Sequence, residues 1–180
     1  MNHSVTNQIK ILSERTLFLK TEEDTMSLGH AFAHLLKPGL VVWLNGDLGT
    51  GKTTFVRAML RELGFSGPIK SPTYALVEVY VVSRLYLYHF DFYRFNEPWE
   101  FEDASLGEYF QKETICFVEW AEKAYPYVPK PDLIVVFKFS KKNTQGFAGQ
   151  GRILKLKACS EVGQLCLSSF RNRESTDANY

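Results

Sequence analysis

Residues 46 to 53 form a glycine-rich segment that could hold a phosphate chain. They read Gly-Asp-Leu-Gly-Thr-Gly-Lys-Thr and match the pattern G-x-x-x-x-G-K-[ST] at every fixed position. The glycines let the backbone curl so that successive N–H groups point at an anion. Lys52 supplies a point charge for the β- and γ-phosphates, and the Thr53 hydroxyl suits Mg²⁺. The segment predicts nucleotide binding and leaves open whether the nucleotide is hydrolysed, transferred or merely sensed.

Two acidic residues could complete this site because each ends an apolar run that is typical of a strand. Asp91 follows residues 85–90, and Glu119 follows residues 115–118. A carboxylate at the end of a buried strand is costly unless it binds a cation or hydrogen-bond donors, and a phosphate-binding loop needs such an acid near its Mg²⁺. For each acid alone, a strand that simply emerges into solvent is the alternative. The residues do not decide which acid contacts the metal and which orients water.

Other polar and aromatic residues have both a chemical and a structural interpretation. Thr73 offers a hydroxyl that could report on a γ-phosphate, but an ordinary loop is the simpler interpretation. His89 is interpreted as a core residue outside catalysis. The tyrosines and phenylalanines between residues 74 and 93 could stack RNA bases, but packing on a strand face explains them better.

The segments around the glycine-rich loop are of the kind that a phosphate site requires. Residues 39–45 form the apolar run of a buried parallel strand. Residues 53–63 predict a helix with its apolar residues on one face. The positive N-terminal end of that helix would then lie under the phosphates. Upstream, Thr21 predicts the N-cap of another helix, which Pro38 ends.

The rest of the chain is predicted to be rich in strands. Residues 74–82 and 85–92 predict an antiparallel hairpin because only two residues separate them. Residues 132–139 and 152–158 predict a closing pair of strands, and residues 159–168 are compatible with a helix or a strand. The elements together predict an α/β, P-loop NTPase-like three-layer fold with a mixed, partly antiparallel central sheet.

Length and composition predict a single globular domain. The chain has 180 residues, 45% of them hydrophobic and 23% charged, which is ordinary for a soluble globular protein. We expect residues 1–13 to be a flexible arm, residues 14–168 to form one P-loop domain, and residues 169–180 to be a flexible tail.

Charge and cysteine content limit which partners and which cellular compartment we expect. The net charge of +1 gives no general basic field that would attract nucleic acid or an anionic membrane. We therefore expect neither DNA nor a membrane as a partner. The three cysteines include no C-x-x-C pair, and the polar N-terminus shows no signal-peptide pattern. Both features favour the cytoplasm.

Taken in order, these motifs resemble the TsaE (YjeE) family of bacterial P-loop ATPases. The resemblance runs from about residue 16 to residue 158, and its motifs are residues 46–54, 71–78, 89–94 and 118–120. That family acts with the TsaD and TsaB proteins to make threonylcarbamoyladenosine (t6A) beside the anticodon of ANN-reading tRNAs. The resemblance implies an ATP- and Mg²⁺-dependent ATPase with TsaD-like and TsaB-like partners, which meets tRNA indirectly through the complex. A partner, and not this chain, would form the carbamoyl bond.

The resemblance also implies roles for individual residues. Lys52 and Asp91 would be catalytic, and Asp91 would orient water or act as a general base. Thr53 and Glu119 would hold Mg²⁺, and Thr73 would lie in a switch-like loop. The residues implied to bind the nucleotide are Glu22, Gly46, Asp47, Leu48, Gly49, Thr50, Gly51, Lys52, Thr53, Thr54 and Gly151.

Two other functions are compatible with a phosphate-binding loop. A small-molecule kinase would need an acceptor pocket and usually an arginine-rich lid, whereas Arg84, Arg94 and Arg152 are scattered along the sequence. A non-catalytic nucleotide sensor would not need the complete set of lysine, threonine and two acids. The sequence shows no obvious arginine finger, so we expect a partner to complete the site.

Overall fold

In the computed structural model of the chain, residues 9–140 and 151–177 are described, with side chains described through residue 170. The strands are β1 (Ser13–Leu19), β2 (Val41–Gly46), β3 (Val77–Val82), β4 (Leu85–Asp91), β5 (Thr114–Glu119), β6 (Leu133–Phe139) and β7 (Arg152–Ala158). The α-helices are α1 (Glu22–Ala33), α2 (Lys52–Glu62), α3 (Glu100–Asp103) and α4 (Glu161–Asp177), and short 3-10 helices lie at Leu106–Tyr109 and Ala121–Lys123.

The strands form one seven-stranded sheet in the order β1-β7-β6-β2-β5-β4-β3. The four central strands, β6, β2, β5 and β4, are parallel to one another. The outer pairs β3–β4, β6–β7 and β1–β7 are antiparallel. The predicted α/β fold with a mixed, partly antiparallel central sheet is therefore confirmed.

Two left-handed residues form the turn of the predicted hairpin between β3 and β4. Ser83 has φ 47° and Arg84 has φ 76°. Positive φ at both central residues is typical of the tight turns that suit the twist of antiparallel strands. The hairpin continues the sheet to its β3 edge and fixes the path of β4, the strand that ends at Asp91.

The carboxyl ends of the central strands bring the glycine-rich loop and both acids to one edge of the sheet. Asp91 ends β4 and is the register partner of Glu119, which ends β5. Glu119 is in turn the register partner of Leu44 in β2, two residues before the loop begins. Ligand sites of open α/β sheets lie at this edge.

Apolar residues cover both faces of the sheet, which gives the three layers of the fold. On one face, α1, α2 and α4 contribute Phe32, Phe55 and Phe170 to the larger cluster. On the other face, Phe101 of α3 packs with Trp43 and with residues of the 3-10 helices and loops. The parallel strands are thus buried on both sides, as their near-continuous apolar runs require.

The helices α1 and α2 approach closely at Gly29. A Cβ on Gly29 of α1 would lie 2.6 Å from the Ala58 Cβ and 2.8 Å from the Phe55 backbone oxygen. Thr21 caps α1, since its hydroxyl accepts from the Asp24 N–H and the Asp24 carboxylate accepts from the Thr21 N–H. The predicted N-cap is confirmed, and it fixes where α1 begins beside the glycine-rich loop.

Regular structure extends beyond the predicted end of the domain. Residues 159–168 were compatible with a helix or a strand, and they enter α4, which runs through Asp177 and so past residue 169. The polar composition of this segment did not show that the helix continues, although Cys166 and Phe170 bury its apolar side in the core. The flexibility of the tail stays a prediction, and residues 178–180 lie outside the described residues.

At the other end, residues 1–8 of the predicted flexible arm also lie outside the described residues. The last part of the arm packs on the domain, because Ile9 is buried and the Leu12 N–H donates to the Ala158 oxygen. Within the described parts of the chain, no helix combines the length and apolar character needed to cross a membrane.

Candidate functional site

The glycine-rich loop joins β2 to α2 and curls back on itself. Gly51, the N-cap of α2, has φ 107°, a left-handed conformation that side chains rarely adopt. The Thr50 N–H and hydroxyl both donate to the Asp47 oxygen, at 3.3 and 2.7 Å. The loop therefore ends at the positive N-terminus of a helix, the arrangement that binds anions in proteins.

Lys52 lies between the loop and the end of β5. Its Nζ donates to the Gly46 oxygen at 2.9 Å and to the Asp47 oxygen at 3.1 Å. The same Nζ lies 3.5 Å from Glu119 Oε2, and both side chains are buried. The ammonium group is thus held by the loop that it would serve and is already oriented toward the acid.

Glu119 accepts hydrogen bonds from two neighbouring elements. The Thr53 hydroxyl of α2 donates to Oε1 at 3.2 Å, and His89 Nε2 of β4 lies 3.0 Å from the same oxygen. Burial by itself raises the pKa of Glu119. The His89 hydrogen bond and the charges of His89 and Lys52 outweigh burial, so the net pKa is lowered. Glu119 is therefore an ionised carboxylate at neutral pH.

His89 is a site residue that sequence reasoning placed in the core and outside the chemistry. It is fully buried and is the register partner of Phe117 in β5. The sequence signal for its role is strand alternation, because His89 and Asp91 are two residues apart and so lie on the same face of β4. Glu119 is the register partner of Asp91. His89 orients the carboxylate of Glu119 through the contact between its Nε2 and Oε1.

Asp91 is held by the loop formed by residues 71–74. Its Oδ2 accepts from the Thr73 hydroxyl at 2.6 Å and from the Ser71 hydroxyl at 3.5 Å. Its Oδ1 accepts from the Tyr93 N–H at 2.9 Å. The structure therefore brings Thr73 into direct contact with Asp91.

Trp120 follows Glu119 in a left-handed conformation, with φ 57°. This conformation is unfavourable for a bulky side chain and is found mainly where surrounding contacts hold it. It places the indole ring 5.3 Å from Lys52 Nζ and 5.1 Å from the ring of Tyr93. The ring thus forms an aromatic wall beside the lysine.

A cleft of about 390 Å³ collects these groups. The predicted site residues that line it are Glu22, Leu48, Gly49, Gly51, Lys52, Thr53, Thr54, Thr73, Asp91 and Glu119. Gly46, Asp47 and Thr50 contribute through backbone oxygens that bond Lys52, Thr50 and Arg152. On the α1 side, the Thr54 hydroxyl donates to Glu22 Oε1 at 3.3 Å, which ties the two helix starts together.

The structure places Gly151 beside the cleft but facing away from its contents. A Cβ on Gly151 would lie 2.7 Å from the Phe18 ring and 3.2 Å from the Leu19 oxygen, so this glycine packs against the end of β1. Its neighbour Arg152 lines the cleft, and Arg152 Nε donates to the Thr50 oxygen at 2.8 Å.

Two of the three arginines that are scattered along the sequence, Arg94 and Arg152, come together in the structure. Both line the same cleft although they are far apart in the sequence. Arg94 follows the end of parallel β4. Arg152 begins β7, which is antiparallel to β6 and therefore starts at the edge where β6 ends. Sequence separation did not reveal this meeting, but topology explains it.

The glycine-rich loop leads from the mixed sheet into the N-terminus of α2. Acids end the adjacent parallel strands β4 and β5. Together these features define a P-loop NTPase-like protein. The comparisons with known proteins refine this class. A family model described as threonylcarbamoyl adenosine biosynthesis protein TsaE matches residues 19–147. The chain therefore belongs to the TsaE family, and its role lies in the biosynthesis of threonylcarbamoyladenosine in tRNA.

Individual relatives and a solved structure agree with this assignment. The chain is 36% identical over 162 residues to the TsaE protein of Haemophilus influenzae, with 87% of this chain and 98% of that protein covered. It is 40% identical over 116 residues to the TsaE protein of Bacillus subtilis, with 64% and 72% covered. The crystal structure of Bacillus subtilis YdiB superposes with a TM-score of 0.76 at 25% identity, covering 92% of this chain and 99% of that chain.

Proposed function

We propose that this chain binds ATP with Mg²⁺ and hydrolyses it as the ATPase component of the t6A machinery, in the cytoplasm and together with TsaD-like and TsaB-like partners. The observation that carries the proposal is the contact of Lys52 and Thr53 with one buried carboxylate, Glu119. The loop that carries Lys52 and Thr53 and the strand that ends at Glu119 are distant in the sequence, and their meeting serves phosphate binding better than it serves packing. The tRNA would be met through the complex, and the transfer of the carbamoyl group would belong to a partner.

The loop would hold the β- and γ-phosphates. The N-terminus of α2 supplies N–H donors and a positive dipole end, and Lys52 supplies the charge. Its two hydrogen-bond acceptors are backbone oxygens of the loop itself, which are weaker partners than a phosphate oxygen, and its contact with Glu119 is longer, at 3.5 Å. A triphosphate would therefore compete well for the ammonium group.

Thr53 and Glu119 are the residues that would hold Mg²⁺. Both offer oxygen atoms, which this hard cation prefers, and the lowered pKa of Glu119 keeps its carboxylate ionised. No group of three or more His, Cys, Asp and Glu side chains placed to bind a metal occurs among the described residues. This fits a nucleotide-linked Mg²⁺, which completes its shell with phosphate oxygens and water. When bound, the ion neutralises charge on the phosphates.

Asp91 would orient the attacking water. The water oxygen forms a bond to the γ-phosphorus, the bond from that phosphorus to the β–γ bridging oxygen breaks, and Asp91 accepts the proton of the water. Three donors, from Thr73, Ser71 and the Tyr93 backbone, fix the carboxylate in place. Such positioning is the main protein contribution to phosphoryl transfer.

The test measures phosphate release by the purified chain, alone and with TsaD-like and TsaB-like proteins, and t6A content in cells that lack their own TsaE. We expect Mg²⁺-dependent release of phosphate to water, nucleotide-dependent co-purification of the partners, and restoration of t6A. Lys52→Ala should lose all three. Lys112→Ala is the matched control because Lys112 is exposed and lies beside Gly39, at the opposite edge of the sheet.

Two results would overturn the proposal. Normal hydrolysis by Lys52→Ala with partners present would show that the loop is not the site. Transfer of the phosphate to a metabolite instead of water would show that the protein is a small-molecule kinase.

A further inference from the structure

Arg94 reaches the mouth of the cleft from the turn that follows β4. Its guanidinium carbon lies 4.1 Å from the centre of the Tyr74 ring, and both residues line the cleft. Tyr74 belongs to the same loop as Thr73, whose hydroxyl bonds Asp91. The arginine therefore stands on the Asp91 side of the cleft, where the terminal phosphate and the attacking water would meet.

The backbone around Arg94 is fixed, whereas its side chain is exposed. On one side the Tyr93 N–H donates to Asp91 Oδ1 at 2.9 Å, and on the other the Phe95 N–H donates to the Phe92 oxygen at 3.0 Å. Lys123 Nζ donates to the backbone oxygens of both Tyr93 and Phe95. A rigid base under a long side chain allows the guanidinium to change partners without moving the acid.

The other cationic side chains near the cleft already donate hydrogen bonds to backbone oxygens. Lys52 is bound by its loop and lies beside Glu119. Arg152 Nε donates to the Thr50 oxygen, and this residue lies beside Gly51 on the far side of the cleft. Lys123 is engaged with the backbone oxygens named above. Among the described residues, Arg94 forms no ion pair with a carboxylate, and its described partner is the Tyr74 ring.

We propose that Arg94 is the arginine that this chain supplies to its own active site. On nucleotide binding its guanidinium leaves the Tyr74 ring and contacts the terminal phosphate, where it stabilises the negative charge of the transition state. The inference rests on the proposed ATPase activity and replaces the expectation that a partner must provide this group. Arg94 neither gains nor loses a proton, so the balance of hydrolysis is unchanged.

The exchange of partners is physically reasonable. A cation–π contact at an exposed site is weak, whereas guanidinium binds phosphate through paired, charge-assisted hydrogen bonds. The Tyr74 ring would hold the arginine near the cleft when no phosphate is bound and so limit the rotamers that must be lost on binding.

The test compares Arg94→Ala and Arg94→Lys with the unmodified chain in single-turnover ATP hydrolysis without partners. Because no partner proteins are present, a lower rate of hydrolysis cannot result from weaker binding of a partner. We expect Arg94→Ala to lower the rate by at least about 100-fold, given the 10³- to 10⁵-fold effects of such arginines, and Arg94→Lys to recover only part of the loss. Arg84→Ala is the matched control, since Arg84 is exposed in the hairpin turn at the opposite end of β4.

A second measurement separates charge stabilisation from folding or binding. The affinity for ADP should change by no more than about threefold in Arg94→Ala, whereas the extra affinity for ADP with aluminium fluoride, a transition-state mimic, should be lost. Arg94→Ala with unchanged hydrolysis, or with equal loss of ADP and mimic binding, would overturn the inference while the ATPase proposal stands. No hydrolysis by the unmodified chain, even with partners, would overturn the ATPase proposal and the inference with it.

Discussion

The Thr73 hydroxyl lies 2.6 Å from Asp91 Oδ2 and joins the loop of residues 71–74 to the end of β4. This bond makes the position of the loop and the orientation of the carboxylate depend on each other. A group that binds near Asp91 therefore also acts on the loop, and the loop in turn carries Tyr74, the partner of Arg94. Loops ordered by a terminal phosphate and released by its loss work through contacts of this kind.

The first prediction concerns this hydroxyl. Thr73→Val keeps the shape of the side chain but removes the donor, so we expect ATP hydrolysis to fall about 10- to 100-fold as Asp91 loses its orientation. Thr73→Ser keeps the donor and should retain most of the activity. The measurement is the steady-state release of phosphate. Equal activity of the valine and serine variants would show that the hydroxyl does not position Asp91.

The second prediction concerns the proposed metal ligand. Glu119→Gln preserves the volume of the side chain but removes the charge, so we expect the Mg²⁺ concentration for half-maximal hydrolysis to rise about tenfold or more. A titration with Mg²⁺ at saturating ATP measures the change. Glu113→Gln is the control because Glu113 is exposed and directly precedes β5, at the opposite edge of the sheet. An unchanged Mg²⁺ requirement in Glu119→Gln would exclude this residue as a ligand.

The third prediction concerns the contact between α1 and α2. Alanine normally favours a helix over glycine, but at position 29 its Cβ would lie 2.8 Å from the Phe55 backbone oxygen. We expect Gly29→Ala to lower the free energy of unfolding by about 1–3 kcal/mol through overpacking. Chemical denaturation measures the change. Ser27→Ala, at an exposed position of the same helix, should change it by less than about 0.5 kcal/mol, and a stabilised Gly29→Ala would contradict the close packing.

The fourth prediction uses a strained residue far from the cleft. Ser105 is exposed and adopts the left-handed conformation, with φ 52°. Because a side chain disfavours this region and glycine does not, Ser105→Gly should raise the free energy of unfolding by about 0.5–1 kcal/mol after the entropy cost of glycine. Ser105→Ala keeps the Cβ and should show no such gain. Thermal unfolding distinguishes the two variants.

The fifth prediction concerns the thiols. Burial raises the pKa of Cys159 to about 11 and that of Cys116 to about 12. A raised pKa leaves the neutral thiol dominant below it, so at pH 8 only roughly one Cys159 in a thousand is the reactive thiolate. We expect slow labelling of the native protein by a disulfide reagent, a rate for Cys159 that rises with pH toward 11, and fast labelling after unfolding. Rapid labelling of Cys159 in the native protein at pH 7 would contradict this.

The sequence was sufficient where chemistry and local pattern coincide. The glycine-rich loop has fixed spacing, and Asp91 and Glu119 each end an apolar strand, so all three could be assigned to one edge of a sheet before its strand order was known. The buried position of His89 agrees with the prediction, but its bond to Glu119 was not predicted, because a buried strand histidine gives the same local pattern whether it packs or orients a carboxylate. Only the register of β4 against β5 shows that it lies on the face of Glu119.

The remaining differences arise from contacts between distant segments. Arg94 and Arg152 meet in one cleft because β4 ends and antiparallel β7 begins at the same edge, which the sequence does not encode locally. The length of α4 was underestimated because its apolar residues, among them Phe170, are sparse, and the core that receives them comes from other parts of the chain.

The pairing of the first strand with the last has a consequence for how the protein is made. β1 contacts β7 alone within the sheet order, and Leu17 is the register partner of Leu154. During synthesis, the glycine-rich loop, both acids and the hairpin are made before β7, so β1 has no neighbouring strand until then. The nascent chain must therefore keep this strand from other partners until β7 has emerged.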